Sequence, residues 1–300
     1  MRKASIDLGT NTCLLLIAEC AGGEVRGVTG DYSTVVRLGK GVDQSKMLAP
    51  EAMERTLSCL KGYAEKVKAA GIEPAAVACV ATSQARDARN GGEFFSRVEK
   101  ETGFRFQVIS GDEEARLTFL GGLLPGMDAR QSAVIDIGGG STEIISSHGG
   151  QSVDVGSVRF TERFLRSDPV TDEEFWACQK AIDDAWAPLV EWREKTPQVT
   201  EWVAVAGTAT TLAAWFLGLA SFDPLKINEL ELSRGDVHRM VEELKWRTIQ
   251  ERMTLPGMEA GRADVLLAGT LILWRAMELL RIQRTRISTR GLRYGALLKT

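Results

Sequence analysis

The sequence predicts an α/β protein made of two similar domains, each with the order β-β-β-α-β-α-β-α, with a cleft between them. Three observations carry this. Short apolar strands alternate with amphipathic helices along all 300 residues. The same order occurs twice, with Asp7 and Asp136 closing the first strand of each half. Each of these acids is followed by a glycine turn bearing hydroxyls. Composition also shifts: all 7 tryptophans lie at or beyond Trp176. We therefore place the domains at 1–125 and 126–300, with the last helix free to pack back on the first domain.

Periodicity and turn residues justify the elements in order. In the first half, 4–8 reads as a buried strand, and 13–20 and 24–29 as a hairpin around Gly22-Gly23. A helix starts at Pro50, which suits a first helical turn, and Gly71 stops it. Its apolar residues Met53, Leu57, Leu60, Ala64 and Val67 recur every three or four positions. Strand 76–81, helix 94–100, strand 106–109 and a helix after Ser110 complete the half. The second half repeats the order with strand 133–137, then 143–147 and 152–155 around a Gly149-Gly150 turn. A helix follows from Asp172, where Thr171 and Glu174 have capping-box spacing. Strand 202–206, a helix after Gly207-Thr208, a long helix over 260–280, strand 285–288 and a terminal helix finish the chain.

Composition excludes several kinds of chemistry. Net charge is −3, so a basic, nucleic-acid-coating surface is not expected. Two histidines, His148 and His238, leave little room for a multi-histidine metal site or a Ser-His-Asp triad. Five cysteines with no C-x-x-C pair fit thiols in a reducing compartment better than a disulfide frame. The apolar run at 13–18 is shorter than the roughly 7–15 residues of a secretory core. The run at 265–274 is about half of the ~20 residues a membrane span needs. A cytoplasmic protein without a membrane or nucleic-acid partner is expected.

The two turns, Asp7-Leu8-Gly9-Thr10-Asn11-Thr12 and Asp136-Ile137-Gly138-Gly139-Gly140-Ser141-Thr142, have a physical use. Glycines let the backbone turn tightly and bring N–H groups close to a phosphate, and the hydroxyls add donors. An Asp at the strand end can hold Mg²⁺ directly or through water. One such turn also occurs in plain hairpins; two at matching places suit a clamp on one phosphate chain. Glu143 opens the strand after the second turn. A buried glutamate there needs a partner, and with Asp136 it can hold Mg²⁺, with Asp7 contributing from the other domain. Gly207-Thr208 opens a helix after a strand and fits a helix-terminal anion site.

These blocks resemble the phosphate loops of the acetate kinase, sugar kinase, heat-shock chaperone and actin superfamily. More closely, they resemble the exopolyphosphatase/guanosine pentaphosphatase (Ppx/GppA) family. The resemblance rests on the two turns, Ala81-Thr82-Ser83-Gln84-Ala85-Arg86, Ser110-Gly111-Asp112-Glu113-Glu114-Ala115-Arg116, Glu143, Gly207-Thr208-Ala209-Thr210-Thr211 and Arg262-Ala263-Asp264. It spans nearly the whole chain and implies two ribonuclease H-like, actin-ATPase-type domains flanking a phosphate-binding cleft.

Three acids follow Ser110. Position gives Glu113 a capping-box role with Ser110 and makes Asp112 a solvated first-turn charge. The resemblance assigns water activation to Glu114, the glutamate immediately before Ala-Arg. It also makes Arg86 a phosphate contact, and a guanidinium suits that task; Arg89 reads as a surface residue. The basic segment from Arg281 to the end, with Arg284, Arg286, Arg290, Arg293 and Lys299, reads either as an anion track or as a solvated face.

The implied activity is Mg²⁺-assisted hydrolysis of the terminal phosphoanhydride of inorganic polyphosphate, with guanosine pentaphosphate as the rival substrate and a homodimer as the assembly. Long bacterial exopolyphosphatases carry a further helical region after this core; its absence before Thr300 leads us to expect use of short chains. A non-catalytic polyphosphate or alarmone sensor needs only the loops, and an ATP-dependent kinase shares them, so both remain alternatives of another class.

Overall fold

Each half of the chain builds its own sheet. The computed structural model describes residues 1–259 and 261–299. The chain divides into one unit of Met1–Gly121 with Leu292–Thr300, and a second of Gly122–Gly291; Ala260 and Thr300 lie outside the described residues.

In the first unit, β1 (Arg2–Leu8), β2 (Thr12–Ala21) and β3 (Glu24–Val35) form an antiparallel meander. Short helix α1 (Val42–Ser45) and long helix α2 (Pro50–Ala69) lead to β4 (Ala78–Ala81), which pairs parallel to β1. Then come α3 (Ser83–Asp87), α4 (Gly91–Thr102), β5 (Phe106–Val108), parallel to β4, and α5 (Gly111–Gly122). Strand order is β3-β2-β1-β4-β5. The apolar stripe of α2, with Leu57, Leu60 and Val67, packs with Ile6, Leu8, Leu15, Val98 and Phe104. Pro50 starts that helix, and Gly71 at φ 76 follows its end.

The second unit repeats this frame. Its elements begin with β6 (Ser132–Ile137), β7 (Thr142–Ser146), β8 (Gly149–Val153), α6 (Ser157–Phe164), α7 (Asp172–Ala185), α8 (Ala187–Lys195), β9 (Glu201–Val205) and α9 (Ala206–Phe216). They continue with α10 (Pro224–Asn228), β10 (Glu231–Ser233), α11 (Arg234–Trp246), α12 (Ile249–Arg252), α13 (Leu266–Leu279) and β11 (Arg284–Ile287). The order β10-β11-β9-β6-β7-β8 matches that of the first sheet, with β10 added at one edge. Both are mixed sheets of ribonuclease H-like type. β6 is buried at every position, as a central strand covered on both faces should be. α13 is buried almost all round and crosses the core with Ile135, Phe175, Trp186 and Leu212.

The last helix, α14 (Leu292–Lys299), belongs to the first unit. Tyr294 and Leu297 pack on Leu16, Ala18 and Cys20. Leu292 and Ala296 pack with Val80, Ile109 and Leu117. The approach to α5 is so close that a Cβ on Gly295 would lie 1.8 Å from the Leu117 carbonyl oxygen. Ser5 Oγ donates to Arg293 O at 2.7 Å, and Arg293 pairs with Asp31 at 3.0 Å.

Several expectations are corrected. The second hairpin turns at Ser147-His148, and Gly149-Gly150 opens β8. Ser146 Oγ bridges that turn, accepting from His148 N at 3.1 Å and donating to Gly149 O at 3.1 Å. The long helix covers Leu266–Leu279, since 261–265 forms turns; that bent segment carries Arg262 against Gly207. The simple repeat is interrupted by β10 and by α6, α8, α10, α11 and α12, which the sequence reading did not contain. The Thr171–Glu174 capping box is present in full. Glu113 completes only half of one: its N–H donates to Ser110 Oγ at 3.2 Å, while its carboxylate goes to Arg116 and Lys299.

Candidate active site

In the first unit, the carboxyl ends of three parallel neighbours, β1, β4 and β5, bring the predicted residues together. The register sets Leu8 beside Ala81, and Ala81 beside Val108. The Gly9 turn, the segment 82–86 and the start of α5 therefore share one end of the sheet, where open α/β sheets place their ligands.

The turn Gly9–Thr12 is braced from both sides. Gly9 N donates to Thr12 O at 2.9 Å. Thr10 Oγ1 meets Ser83 Oγ at 3.0 Å and donates to Gln84 Oε1 at 3.1 Å, while Gln84 Nε2 donates to Leu8 O at 2.7 Å. Ser83 and Gln84, which the sequence reading left without a role, thus fix the turn; both are buried. The carbonyl of Thr10 accepts from Gly39 N, and that of Asn11 from Val36 N and Arg37 N, each at 2.9 Å. Because a trans peptide sets C=O and N–H on opposite sides, these bonds aim the following N–H groups of Asn11 and Thr12 the other way. Asp7 is half-buried at the end of β1.

Glu114 lies one turn inside α5 and is 7% exposed. Arg86 Nη1 donates to Glu114 Oε2 at 2.8 Å and to Ile109 O at 2.8 Å. The predicted phosphate-contacting arginine is therefore also the countercharge of the predicted base, which a buried carboxylate requires. Glu113, one residue earlier, pairs with Arg116 at 2.9 Å and Lys299 at 2.5 Å. These two cations hold its carboxyl down at about 2. Asp112 and Arg89 are exposed.

In the second unit, the turn 138–141 is tied to α6, a helix that the sequence reading missed. Gly138 O accepts from Ser157 N at 2.9 Å, and Gly139 O from Val158 N at 2.9 Å and Arg159 N at 3.0 Å. Gly140 O accepts from Arg159 Nε at 2.7 Å. Three successive carbonyls point at α6, so the N–H groups of Gly139, Gly140 and Ser141 face away from it. Gly156 allows this approach, since a Cβ there would lie 2.4 Å from Gly139 O. Thr142 is occupied, with Oγ1 donating to Val155 O at 2.5 Å.

Asp136 and Glu143 are direct cross-strand partners on β6 and β7, so their side chains leave the same face of the sheet. Asp136 is 8% exposed and Glu143 1%; Glu143 Oε1 accepts from Ser152 Oγ at 2.6 Å. A cation beside two buried carboxylates at this spacing would offset their mutual repulsion. Hard oxygen donors of this kind suit a divalent cation. No cluster of three His, Cys, Asp or Glu suited to a metal occurs among the described residues.

Gly207 and Thr208 open α9 at the same sheet end, because the register sets Val205 beside Asp136. Ala206 makes the corner in the left-handed region at φ 66, a conformation costly for a residue with a Cβ. Arg262 lies across Gly207, where a Cβ would fall 1.7 Å from its Nη1, and it pairs with Glu259 at 2.9 Å. Thr208 packs against Gly269 of α13. The basic terminal segment is divided among separate structural pairs: Arg284 with Glu231, Arg293 with Asp31 and Lys299 with Glu113.

No helix of the described residues is long and apolar enough to cross a membrane. Comparison with known proteins gives a consistent result. The chain is 36% identical over 284 residues to exopolyphosphatase 2 of Mycobacterium tuberculosis, covering 90% of this chain and 88% of that protein. It superposes on the crystal structure of an exopolyphosphatase from Cytophaga hutchinsonii with a TM-score of 0.86 at 27% identity, covering 98% of this chain and 96% of the other. It also superposes on the Aquifex aeolicus member of the Ppx/GppA family with a TM-score of 0.77 at 29% identity, covering 100% and 97%. Residues 16–300 match the Ppx/GppA phosphatase family, and the chain belongs to that family.

Proposed function

We propose that this protein is an exopolyphosphatase, hydrolysing the terminal phosphoanhydride of inorganic polyphosphate and releasing orthophosphate. The observation that carries the reading is the buried Glu114 carboxylate held by Arg86 in the first turn of α5. Glu114 takes a proton from a water, and the water oxygen attacks the terminal phosphorus in line with the bridging oxygen. The bond to that oxygen breaks, leaving a chain one phosphate shorter. Arg86, oriented by Ile109 O, neutralises phosphate charge beside the base. Each unit offers its own grip for phosphate oxygens: the turn at 9–12 in the first, and the amides of 139–141 with Gly207-Thr208 in the second. Asp136 and Glu143 are the residues of the second unit that would hold Mg²⁺, and Asp7 is the corresponding acid at the end of β1 in the first. When bound, Mg²⁺ draws charge from the phosphate oxygens.

The test is orthophosphate release from short and long polyphosphate, guanosine pentaphosphate and ATP, with Mg²⁺ and with EDTA. Release from polyphosphate that EDTA abolishes and Mg²⁺ restores is the expected result. Turnover of guanosine pentaphosphate alone moves the protein to the rival substrate, and binding without turnover makes it a sensor. The family resemblance also carries a cytoplasmic homodimer, which sedimentation of the purified protein checks for its assembly.

A further inference from the structure

The geometry points to Arg159 as a positioning residue for the second phosphate grip, acting through the Gly140–Ser141 peptide; this rests on the phosphohydrolase reading above. The first two peptides of the 138–141 turn are fixed by backbone: Ser157 N, Val158 N and Arg159 N take the carbonyls of Gly138 and Gly139. The third is held by a side chain, since Arg159 Nε donates to Gly140 O at 2.7 Å. Glycine tolerates either orientation of such a peptide, so the turn itself does little to choose one.

The choice matters for Ser141 N–H, the donor on the other side of that peptide. With Gly140 O drawn to the guanidinium, Ser141 N–H faces the same way as those of Gly139 and Gly140. A charged donor on the carbonyl also polarises the amide and strengthens its N–H as a donor. Arg159 is well placed for this: its side chain is only 8% exposed, while the carboxylate of Asp154, 3.8 Å away, is 81% exposed. Lysine carries the charge but lacks the planar Nε–H that meets Gly140 O.

The experiment compares Arg159→Lys and Arg159→Met with the parent for thermal unfolding, kcat and KM on tripolyphosphate, and tripolyphosphate binding by calorimetry. Removing a preorganised donor of this type costs about 100-fold to 1,000-fold in rate. Misaligning one should lower kcat about tenfold to a hundredfold in both variants, with KM changing less than about threefold. Folded variants with kcat within about twofold of the parent overturn the proposal. So does failure of both to fold, which makes Arg159 a structural residue. If the parent releases no phosphate, the phosphohydrolase reading has failed by itself. Binding then decides: tighter tripolyphosphate binding by the parent than by either variant supports the positioning role, and equal binding overturns it.

Discussion

Adjacent glutamates on α5 have opposite tasks, and a pair of substitutions separates them. Glu114 is buried against Arg86, whereas Glu113 bridges Arg116 and Lys299 at the surface. Glu114→Gln should lower phosphate release by about 100-fold to 10,000-fold, the usual worth of a general base, while tripolyphosphate still binds. Glu113→Gln should leave kcat near the parent and lower the unfolding temperature. Equal activity of Glu114→Gln and the parent would sink the mechanism. Arg86 acts on both base and phosphate, so Arg86→Lys should reduce kcat/KM about tenfold or more despite keeping the charge. Steady-state kinetics on tripolyphosphate check this. Spacing alone could not have ranked the two glutamates, because it gave Glu113 the cap and Glu114 nothing; the family resemblance chose Glu114. The bond from Arg86 to Glu114 joins residues 28 apart through two different strand ends, and no local pattern encodes it.

Among elements, the tie between α5 and α14 has a pH signature. The Glu113 carboxyl is held at about 2, below its ordinary 4.5, first by Arg116 and then by Lys299. A depressed carboxylate adds stability that is fully present above the ordinary value and is lost as pH falls through the folded one. The stability gap between parent and Glu113→Gln should therefore be constant above about pH 5 and close between about pH 4.5 and 2. With 24% of the Glu113 side chain exposed, its size should be about 1 kcal/mol or less. Denaturant midpoints at several pH values measure it, and a gap unchanged at pH 2 refutes the tie. Elements with strong local signals were legible: Pro50 and the apolar stripe gave α2, and Thr171 with Glu174 gave the start of α7. α6 was not, because its first N–H groups are satisfied by carbonyls of a turn 18 or more residues earlier, with no side-chain cap at Gly156. That missed helix is what orients the glycine turn. The glycines were readable from sequence, but the direction of their amides was not.

At the scale of the whole chain, the two units differ in how they are threaded. The second is one continuous segment, Gly122–Gly291, whereas the first needs both ends of the chain. α14 supplies Leu292, Tyr294, Ala296 and Leu297 to clusters built by β2, β4, α5 and Ile109 just after β5. Burying a leucine is worth about 1.5–3 kcal/mol. Two leucines and a tyrosine are thus a large share of the roughly 5–15 kcal/mol that holds a domain together. Hydrogen bonds add to this, with Ser5 Oγ to Arg293 O and Arg293 to Asp31 spanning 288 and 262 residues. Such contacts form only after the intervening unit has been made, and closing so long a loop is entropically unfavourable. A fragment of 122–291 should therefore unfold cooperatively by itself. A fragment of 1–121 should remain unfolded or molten, with Leu16, Val80 and Leu117 uncovered, until a peptide of 292–299 is added. Circular dichroism and dye binding on the three samples read this directly. A cooperative thermal transition in 1–121 without the peptide would show that α14 is an accessory, and that the first turn and Glu114 stand on a unit complete before the chain returns.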